Sequence, residues 1–305
     1  MRISVIDIGT NTILLLVADV DDRGGLTPVY HGQTIARLGK GVDEQRNILP
    51  ETVDRVLSTL ATYDQIIRKL QSQRTIVCGT SALRDASNRD QFLDAVKKKL
   101  GMQIRVLSGE EEAFLTYRGA VSEFQKESKQ QFAVLDIGGG STELTVGTDL
   151  AVASKRSLDI GCVRLTERFL KTSPPSSLGM SQALGTIRSA ITQFPSISSS
   201  TMLIGVAGTL TTLAAIDLTL PEYDPLKVSG YRLPFDSIMT IFNQLRIKTI
   251  DEMKVFPQIL PGRSDVLLAG IIILIEVMKN LDADEITVSD RGLRYGVAFE
   301  EALRS

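Results

Sequence analysis

A short acidic, glycine-rich motif occurs twice in this chain, and it constrains the fold more than any other feature. Residues 7–17 read DIGTNTILLLV and residues 136–146 read DIGGGSTELTV, with five identical positions. A second pair of segments, VCGT at 77–80 and VAGT at 206–209, repeats at the same offset of 129 residues. Two unrelated matches at one gap-free offset predict a duplicated α/β unit with an acidic hairpin in each copy.

The composition is that of a globular protein with no basic surface. The 305 residues suffice for two cores, and 43% of them are hydrophobic and 23% charged. A net charge of −2 gives no electrostatic footprint for DNA or an anionic membrane, so neither is expected as a partner. Any phosphate binding must then come from backbone groups and a few placed cations.

The cysteines and the hydropathy of the sequence indicate the cellular compartment in which the protein is expected. Cys78 and Cys162 fit no metal or disulfide pattern, and the first residues show no signal-peptide pattern, so a cytoplasmic location is expected. The longest apolar run, Val266–Met278, has 13 residues and contains Glu276. It predicts a buried helix, because a bilayer span needs about 20 apolar residues.

Strand and helix patterns alternate along the chain, which predicts α/β architecture with parallel pairing inside each domain. The polar segment 126–131 has no apolar period and is the predicted boundary between domains 1–125 and 126–292. A last helix, at about 293–305, could cross back onto the first domain. Strands are expected at 2–8, 13–20, 26–30, 75–78, 103–107, 132–137, 202–206 and 286–289, and helices at 50–70, 88–100, 110–124, 162–170 and 181–193.

Each hairpin has a composition suited to phosphate. Asp7 and Asp136 end an apolar strand, and a glycine follows two residues later. Small residues let backbone N–H groups approach an anion, and the aspartate can hold Mg²⁺ or orient water. The alternative is a tight turn with glycine at positive φ, but a turn needs no carboxylate. The predicted phosphate-binding residues are Gly9, Thr10, Asn11, Thr12, Gly138, Gly139, Gly140 and Ser141, and Thr142 offers a further hydroxyl.

The glycine-threonine pairs and two arginines complete the phosphate hypothesis. Gly79-Thr80 and Gly208-Thr209 are each expected between a strand and a helix, where amides attract anions; alone, each pair would be a capped helix start. Arg84 is the candidate cation, and its alternative is an ion pair with Asp85 or Asp90 on one helix. Arg263 is more consistent with a structural turn.

Together these motifs resemble the actin/hexokinase/heat-shock ATPase superfamily and, within it, the exopolyphosphatase / guanosine pentaphosphate phosphatase (Ppx/GppA) family. The resemblance implies two duplicated actin-like (ribonuclease H-like) α/β domains with a substrate cleft between them. It also implies a homodimer, and the chain resembles a short, two-domain form of the family. The segments that carry it are 7–12 (DIGTNT), 80–88 (TSALRDASN), 108–113 (SGEEEA), 136–143 (DIGGGSTE), 208–212 (GTLTT), 262–265 (GRSD) and 289–296 (SDRGLRYG).

The roles of the acidic residues are inferred partly from helix-capping chemistry and partly from the family resemblance. Ser108 and Glu111 fit a capping box and Glu110 suits the helix dipole, which leaves Glu112 without a capping task. The resemblance makes Glu112 the general base; the alternative is that all three glutamates favour the helix N-terminus. Glu143 interrupts an apolar strand where the first copy has Leu14. The resemblance implies Glu112, Glu143 and Asp136 as catalytic residues, and Asp7, Asp136 and Glu143 as ligands of Mg²⁺, with Mn²⁺ possible.

The function expected from the sequence is Mg²⁺-dependent release of the terminal phosphate of polyphosphate, guanosine pentaphosphate or both, by water attack. One alternative is an ATP-dependent kinase or ATPase of the same superfold, and another is a non-catalytic polyphosphate or alarmone sensor. His31 is the sole histidine, which disfavours a histidine nucleophile or a Ser-His-Asp mechanism. The sequence does not select one substrate.

Overall fold

The computed structural model describes residues 1–21, 25–124 and 130–303. By its internal contacts the chain forms two compact units, Met1–Gly119 with Leu293–Ser305, and Ala120–Gly292. Most of the predicted boundary, 126–131, lies outside the described residues. The domain limits and the cleft therefore stay predictions.

The elements follow one another in an α/β order. The first part of the chain forms β1 (Arg2–Ile8), β2 (Thr12–Val20), β3 (Leu26–Ile35), α1 (Val42–Gln45), α2 (Pro50–Lys69), β4 (Arg74–Gly79), α3 (Ser81–Asp85), α4 (Arg89–Leu100), β5 (Ile104–Val106) and α5 (Gly109–Val121). The remainder forms β6 (Gln131–Ile137), β7 (Thr142–Thr148), β8 (Ala151–Leu158), α6 (Cys162–Phe169), α7 (Ser177–Ile191), β9 (Met202–Val206), α8 (Ala207–Asp217), α9 (Pro225–Val228), β10 (Arg232–Pro234), α10 (Phe235–Leu245), α11 (Ile250–Met253), α12 (Leu267–Asn280), β11 (Glu285–Val288) and α13 (Leu293–Ala302).

The first unit is a sheet with apolar layers on both faces. Its described strands have the order β3-β2-β1-β4-β5, with β1-β2-β3 antiparallel and β1-β4-β5 parallel. Alternate side chains of β1 point to opposite faces, so Ile6 joins a core with α2 and α4, while Ile3 and Val5 join one that contains Val297 of α13. The C-terminal helix thus covers one face of the N-terminal sheet.

The second unit repeats this plan with one addition. Its described strands have the order β10-β11-β9-β6-β7-β8, in which β8-β7-β6-β9-β11 reproduces the first sheet and β10 extends it. The core contains α12, whose residues Leu267–Met278 are all buried, as the apolar run predicts. No helix among the described residues is long and apolar enough to cross a membrane. The duplication predicted from the sequence is therefore visible in the strand order.

Two parts of the expected element pattern are wrong. The strand β8 is missing from the expected pattern, because residues 151–157 (AVASKRS) contain no large apolar alternation and are mostly exposed at a sheet edge. The expected match between the two glycine-threonine pairs also fails. Asp7 lies opposite Cys78, but Asp136 lies opposite Val206 rather than Ala207, so the second parallel pairing is shifted by one residue. Helix α8 consequently begins before Gly208, whereas Gly79 ends its strand.

Candidate active site

The two acidic hairpins have the same turn. The amide of Gly9 donates to the carbonyl of Thr12, and the amide of Gly138 donates to that of Ser141, both at 3.0 Å. Neither glycine has a positive φ, so that part of the alternative explanation is wrong, although both hairpins are tight turns. A Cβ at Gly138 would lie 3.0 Å from the Ser141 carbonyl oxygen, which shows that close backbone approach requires the glycine.

The amides of this turn are the groups best placed to bind an anion. Those of Gly139 and Gly140 make no hydrogen bond to any residue in the described part of the chain. The side-chain donors contribute less than the sequence suggests, because Thr142 is fully buried and its hydroxyl donates to the carbonyl of Ile160 at 2.6 Å. Thr142 is therefore not an anion ligand, and the second hairpin offers an anion mainly backbone groups.

Two carboxylates lie side by side next to this turn. Asp136 and Glu143 are directly opposite on the antiparallel strands β6 and β7, and directly opposite residues share a face with Cβ atoms about 5 Å apart. Glu143 is 2% exposed, and its Oε1 accepts a hydrogen bond from Ser157 on β8 at 2.6 Å. The first sheet has Asp7 opposite Leu14, so only the second copy pairs two acids.

This carboxylate pair fits a divalent cation. Two adjacent carboxylates repel each other, a cation between them relieves this repulsion, and carboxylate oxygens are ligands that Mg²⁺ prefers. No group of three or more potential histidine, cysteine or acidic ligands occurs among the described residues. A Mg²⁺ ion at Asp136 and Glu143 would therefore complete its shell with water and phosphate oxygens, as is usual for this ion. Asp7 takes the equivalent place in the first sheet.

The structure assigns Arg84 a partner that the sequence did not indicate. Its Nη1 donates to Oε2 of Glu112 at 2.6 Å and to the carbonyl of Leu107 at 3.1 Å. The two alternative acids each lie near another arginine, Asp85 at 3.9 Å from Arg46 and Asp90 at 3.4 Å from Arg89. The candidate cation and the candidate base therefore form one ion pair within the first unit.

The environment of Glu112 differs from that of its two neighbours. The capping box is confirmed, because the amide of Ser108 donates to Glu111 at 2.9 Å and the amide of Glu111 to the Ser108 hydroxyl at 3.1 Å. Glu110 is exposed, whereas Glu112 is 8% exposed. Burial raises the pKa of the Glu112 carboxyl, and Arg84 opposes this effect. A carboxylate with a raised pKa beside a fixed cation is suited to general-base catalysis.

Arg263, for which a structural turn is the sequence-based interpretation, is a second partly buried cation. Its guanidinium contacts Gly208, in the space that a Cβ there would occupy. Its Nε is buried without a hydrogen-bond partner among the described residues, and burial lowers the pKa of the group. The side chain of Thr209, the residue after Gly208, packs on Gly270 of α12. The glycine at 208 is the signal that could have identified Arg263.

The cysteines are not nucleophile candidates. Both are free and buried, and burial raises the pKa of Cys78 to about 12 and that of Cys162 to about 11. His31 lies within β3, with its Nε2 3.4 Å from the Tyr295 hydroxyl.

A model of the Ppx/GppA phosphatase family matches residues 16–305. Exopolyphosphatase 2 of Mycobacterium tuberculosis (strain CDC 1551 / Oshkosh) is 36% identical over 317 residues, which cover 99% of this chain and 98% of that protein. The guanosine-5'-triphosphate,3'-diphosphate pyrophosphatase of Pseudoalteromonas translucida (strain TAC 125) is 29% identical over 304 residues, 97% of this chain and 58% of that protein.

The fold agrees with this result. The crystal structure of the Aquifex aeolicus member of the Ppx/GppA family superimposes with a TM-score of 0.83 at 31% sequence identity, covering 100% of this chain and 98% of that one. The predicted fold class, α/β with two sheets of the actin-like type, is confirmed. The chain belongs to the Ppx/GppA phosphatase family.

Proposed function

We propose that this protein is a phosphoanhydride hydrolase that releases the terminal phosphate of inorganic polyphosphate, of guanosine pentaphosphate, or of both, by attack of water. Membership of a phosphatase family supports a phosphatase activity. One of the two relatives is named an exopolyphosphatase, and the other a guanosine-5'-triphosphate,3'-diphosphate pyrophosphatase. The observation that carries the mechanism is the partly buried ion pair of Glu112 with Arg84.

In the proposed reaction, Glu112 accepts a proton from the attacking water. Its raised pKa favours this step, because a base whose pKa is nearer neutrality takes up the proton more readily. Arg84 and the amides of Gly139 and Gly140 would neutralise charge on the phosphoryl oxygens, which is the main requirement of phosphoryl transfer. Arg84 would thus contact both the base and the substrate.

Asp136 and Glu143 are the proposed ligands of Mg²⁺, with Mn²⁺ as an alternative. When bound, the metal ion neutralises phosphate oxygens and helps to align the leaving group. Ser157 donates a hydrogen bond to one oxygen of the Glu143 carboxylate, which would orient this proposed ligand. The homodimer implied by the resemblance and the cytoplasmic location expected from the cysteine usage stay predictions.

The experiment is a phosphate-release assay with long polyphosphate, tripolyphosphate, guanosine pentaphosphate and ATP, each with Mg²⁺. We expect Glu112→Gln to lower kcat at least about 100-fold while substrate binding persists, since general-base catalysis contributes about 10²–10⁴-fold. Glu110→Gln is the matched control, because it makes the same change two residues earlier on the exposed side of α5.

Three outcomes would contradict the proposal. Near-normal turnover by Glu112→Gln would remove Glu112 from the mechanism. Consumption of ATP without release of phosphate from the other substrates would favour the kinase or ATPase alternative. Tight binding of guanosine pentaphosphate or polyphosphate, with no phosphate release by the unsubstituted protein, would favour a sensor.

A further inference from the structure

The chain that follows β8 lies directly beneath the second phosphate hairpin. Two amides in the first turn of α6 donate hydrogen bonds to the glycine loop. The amide of Cys162 donates to the carbonyl of Gly138 at 3.0 Å, and the amide of Val163 donates to the carbonyl of Gly139 at 2.9 Å. The next carbonyl, that of Gly140, accepts from a side chain, the Nε of Arg164, at 2.7 Å. Three consecutive carbonyls of the loop are therefore held on the α6 side.

The direction of these carbonyls determines the direction of the amides. In a planar trans peptide the C=O of one residue and the N–H of the next point in opposite directions. The amides of Gly139, Gly140 and Ser141 consequently point away from α6, as a phosphate site requires. Donors that are already oriented need no reorganisation when charge develops on the substrate.

The peptide between Gly140 and Ser141 is the one whose orientation depends on a side chain. Arg164 is 5% exposed, and its hydrogen bond to Gly140 is buried. Without that donor, a buried carbonyl would lose its partner, and rotation of this peptide would turn the oxygen towards the anion and the Ser141 amide away. The first hairpin has no such dependence, because backbone amides of Gly39 and Arg37 bond the carbonyls of Thr10 and Asn11 at 2.8 and 2.9 Å.

Gly161 makes this close packing possible. Its backbone is extended, with φ −151° and ψ 163°, so glycine is not required for conformation. A Cβ at this position would lie 2.5 Å from the carbonyl carbon of Gly139 and 2.6 Å from that of Gly140. Since both contacts are to backbone, any larger residue would displace the loop.

We propose that Arg164 is a positioning residue, which fixes the Gly140–Ser141 peptide with its amide towards the phosphate, and that Gly161 provides the space for this arrangement. The role rests on the proposed function, because it concerns the same phosphate site. Arg164 acts through the loop and needs no contact with the substrate.

The test compares Arg164→Met, which keeps the length and removes the donor, with Arg164→Lys, which restores a donor. Arg188→Met is the control for loss of an arginine, because Arg188 donates to a different buried acceptor, the carboxylate of Glu276 at 2.5 Å, on α7 rather than at the loop. Two quantities are measured on folded protein: kcat/KM for tripolyphosphate, and the affinity for inorganic phosphate by calorimetry, which needs no turnover.

We expect Arg164→Met to lower kcat/KM about tenfold or more and to weaken phosphate binding, because one oriented donor is lost. Arg164→Lys should recover part of both values, and Arg188→Met should change neither by more than about twofold. If Arg164→Met does not fold, Gly161→Ala should give the same loss of phosphate affinity.

The proposal is overturned if folded Arg164→Met matches Arg188→Met in both values, if Arg164→Lys is no better than Arg164→Met, or if Gly161→Ala binds phosphate normally. Failure of the proposed hydrolase function would give a different experimental result. In that case the unsubstituted protein would release no phosphate from any substrate, while the calorimetric comparison would still report on Arg164.

Discussion

Replacement of Arg84 by methionine should move the midpoint of the acid limb of the pH–rate profile to higher pH. The Arg84 guanidinium lies 2.6 Å from the Glu112 carboxylate and stabilises its charged form. The folded Glu112 already has a raised pKa because of its burial, and Arg84 works against that rise. Removal of the cation leaves burial unopposed, so the carboxyl must stay protonated to a higher pH.

The size of the shift follows from the geometry. The side chains of Arg84 and Glu112 are 21% and 11% exposed, so water screens the pair only partly. Two unit charges at about 4 Å interact by ~1 kcal/mol in water and ~4 kcal/mol at an effective dielectric constant near 20. Since one pKa unit corresponds to about 1.4 kcal/mol, we expect the limb to move by ~1 to 3 pH units.

The assay is kcat/KM for phosphate release as a function of pH, with one substrate for all variants, so that ionisation of the substrate is common to them. Arg84→Lys keeps the positive charge and should leave the midpoint within about half a unit, even if its rate falls. An acid limb of Arg84→Met that coincides with that of the unsubstituted protein would show either that Glu112 is not the base or that Arg84 does not act on its charge.

The remaining predictions concern the metal pair and the capping box. Asp136→Asn should raise the Mg²⁺ concentration for half-maximal activity about tenfold or more, with the turn variant Asp149→Asn as control; an unchanged Mg²⁺ titration would exclude Asp136 as a ligand. Glu111→Ala should lower the free energy of unfolding by about 1 kcal/mol at pH 7, whereas Glu111→Gln, which keeps a capping acceptor, should lose less. The capping bond to Ser108 and the ion pair with Arg105 lower the pKa of Glu111 to about 2, so its contribution is complete above its ordinary pKa of 4.5 and is lost as the pH falls towards 2. Denaturant unfolding at pH 7 and pH 3 should therefore show a smaller Ala effect at the lower pH, and an equal effect would contradict the assignment.

The sequence by itself determined the duplication and most of the sheet. The repeat at one offset predicts two similar units, and their shared strand order follows from it. Long strands and helices could be placed because alternation and helical spacing are local properties. The polar edge strand β8 could not, since its stability comes from pairing with β7 rather than from its own apolar pattern.

The candidate site was predictable as a set of residues but not as an arrangement. Glu112, Arg84 and the two hairpins could be selected from motif chemistry, and Asp136 faces Glu143 because a tight hairpin joins their strands. The bond of Arg84 to Glu112 spans 28 residues, and that of Arg164 to Gly140 spans 24. The one-residue shift that places Gly208 inside α8, and so brings it against Arg263, is also invisible in the repeat. Such contacts depend on strand register and on how loops pack after the strands have paired, and therefore only the tertiary structure decided them.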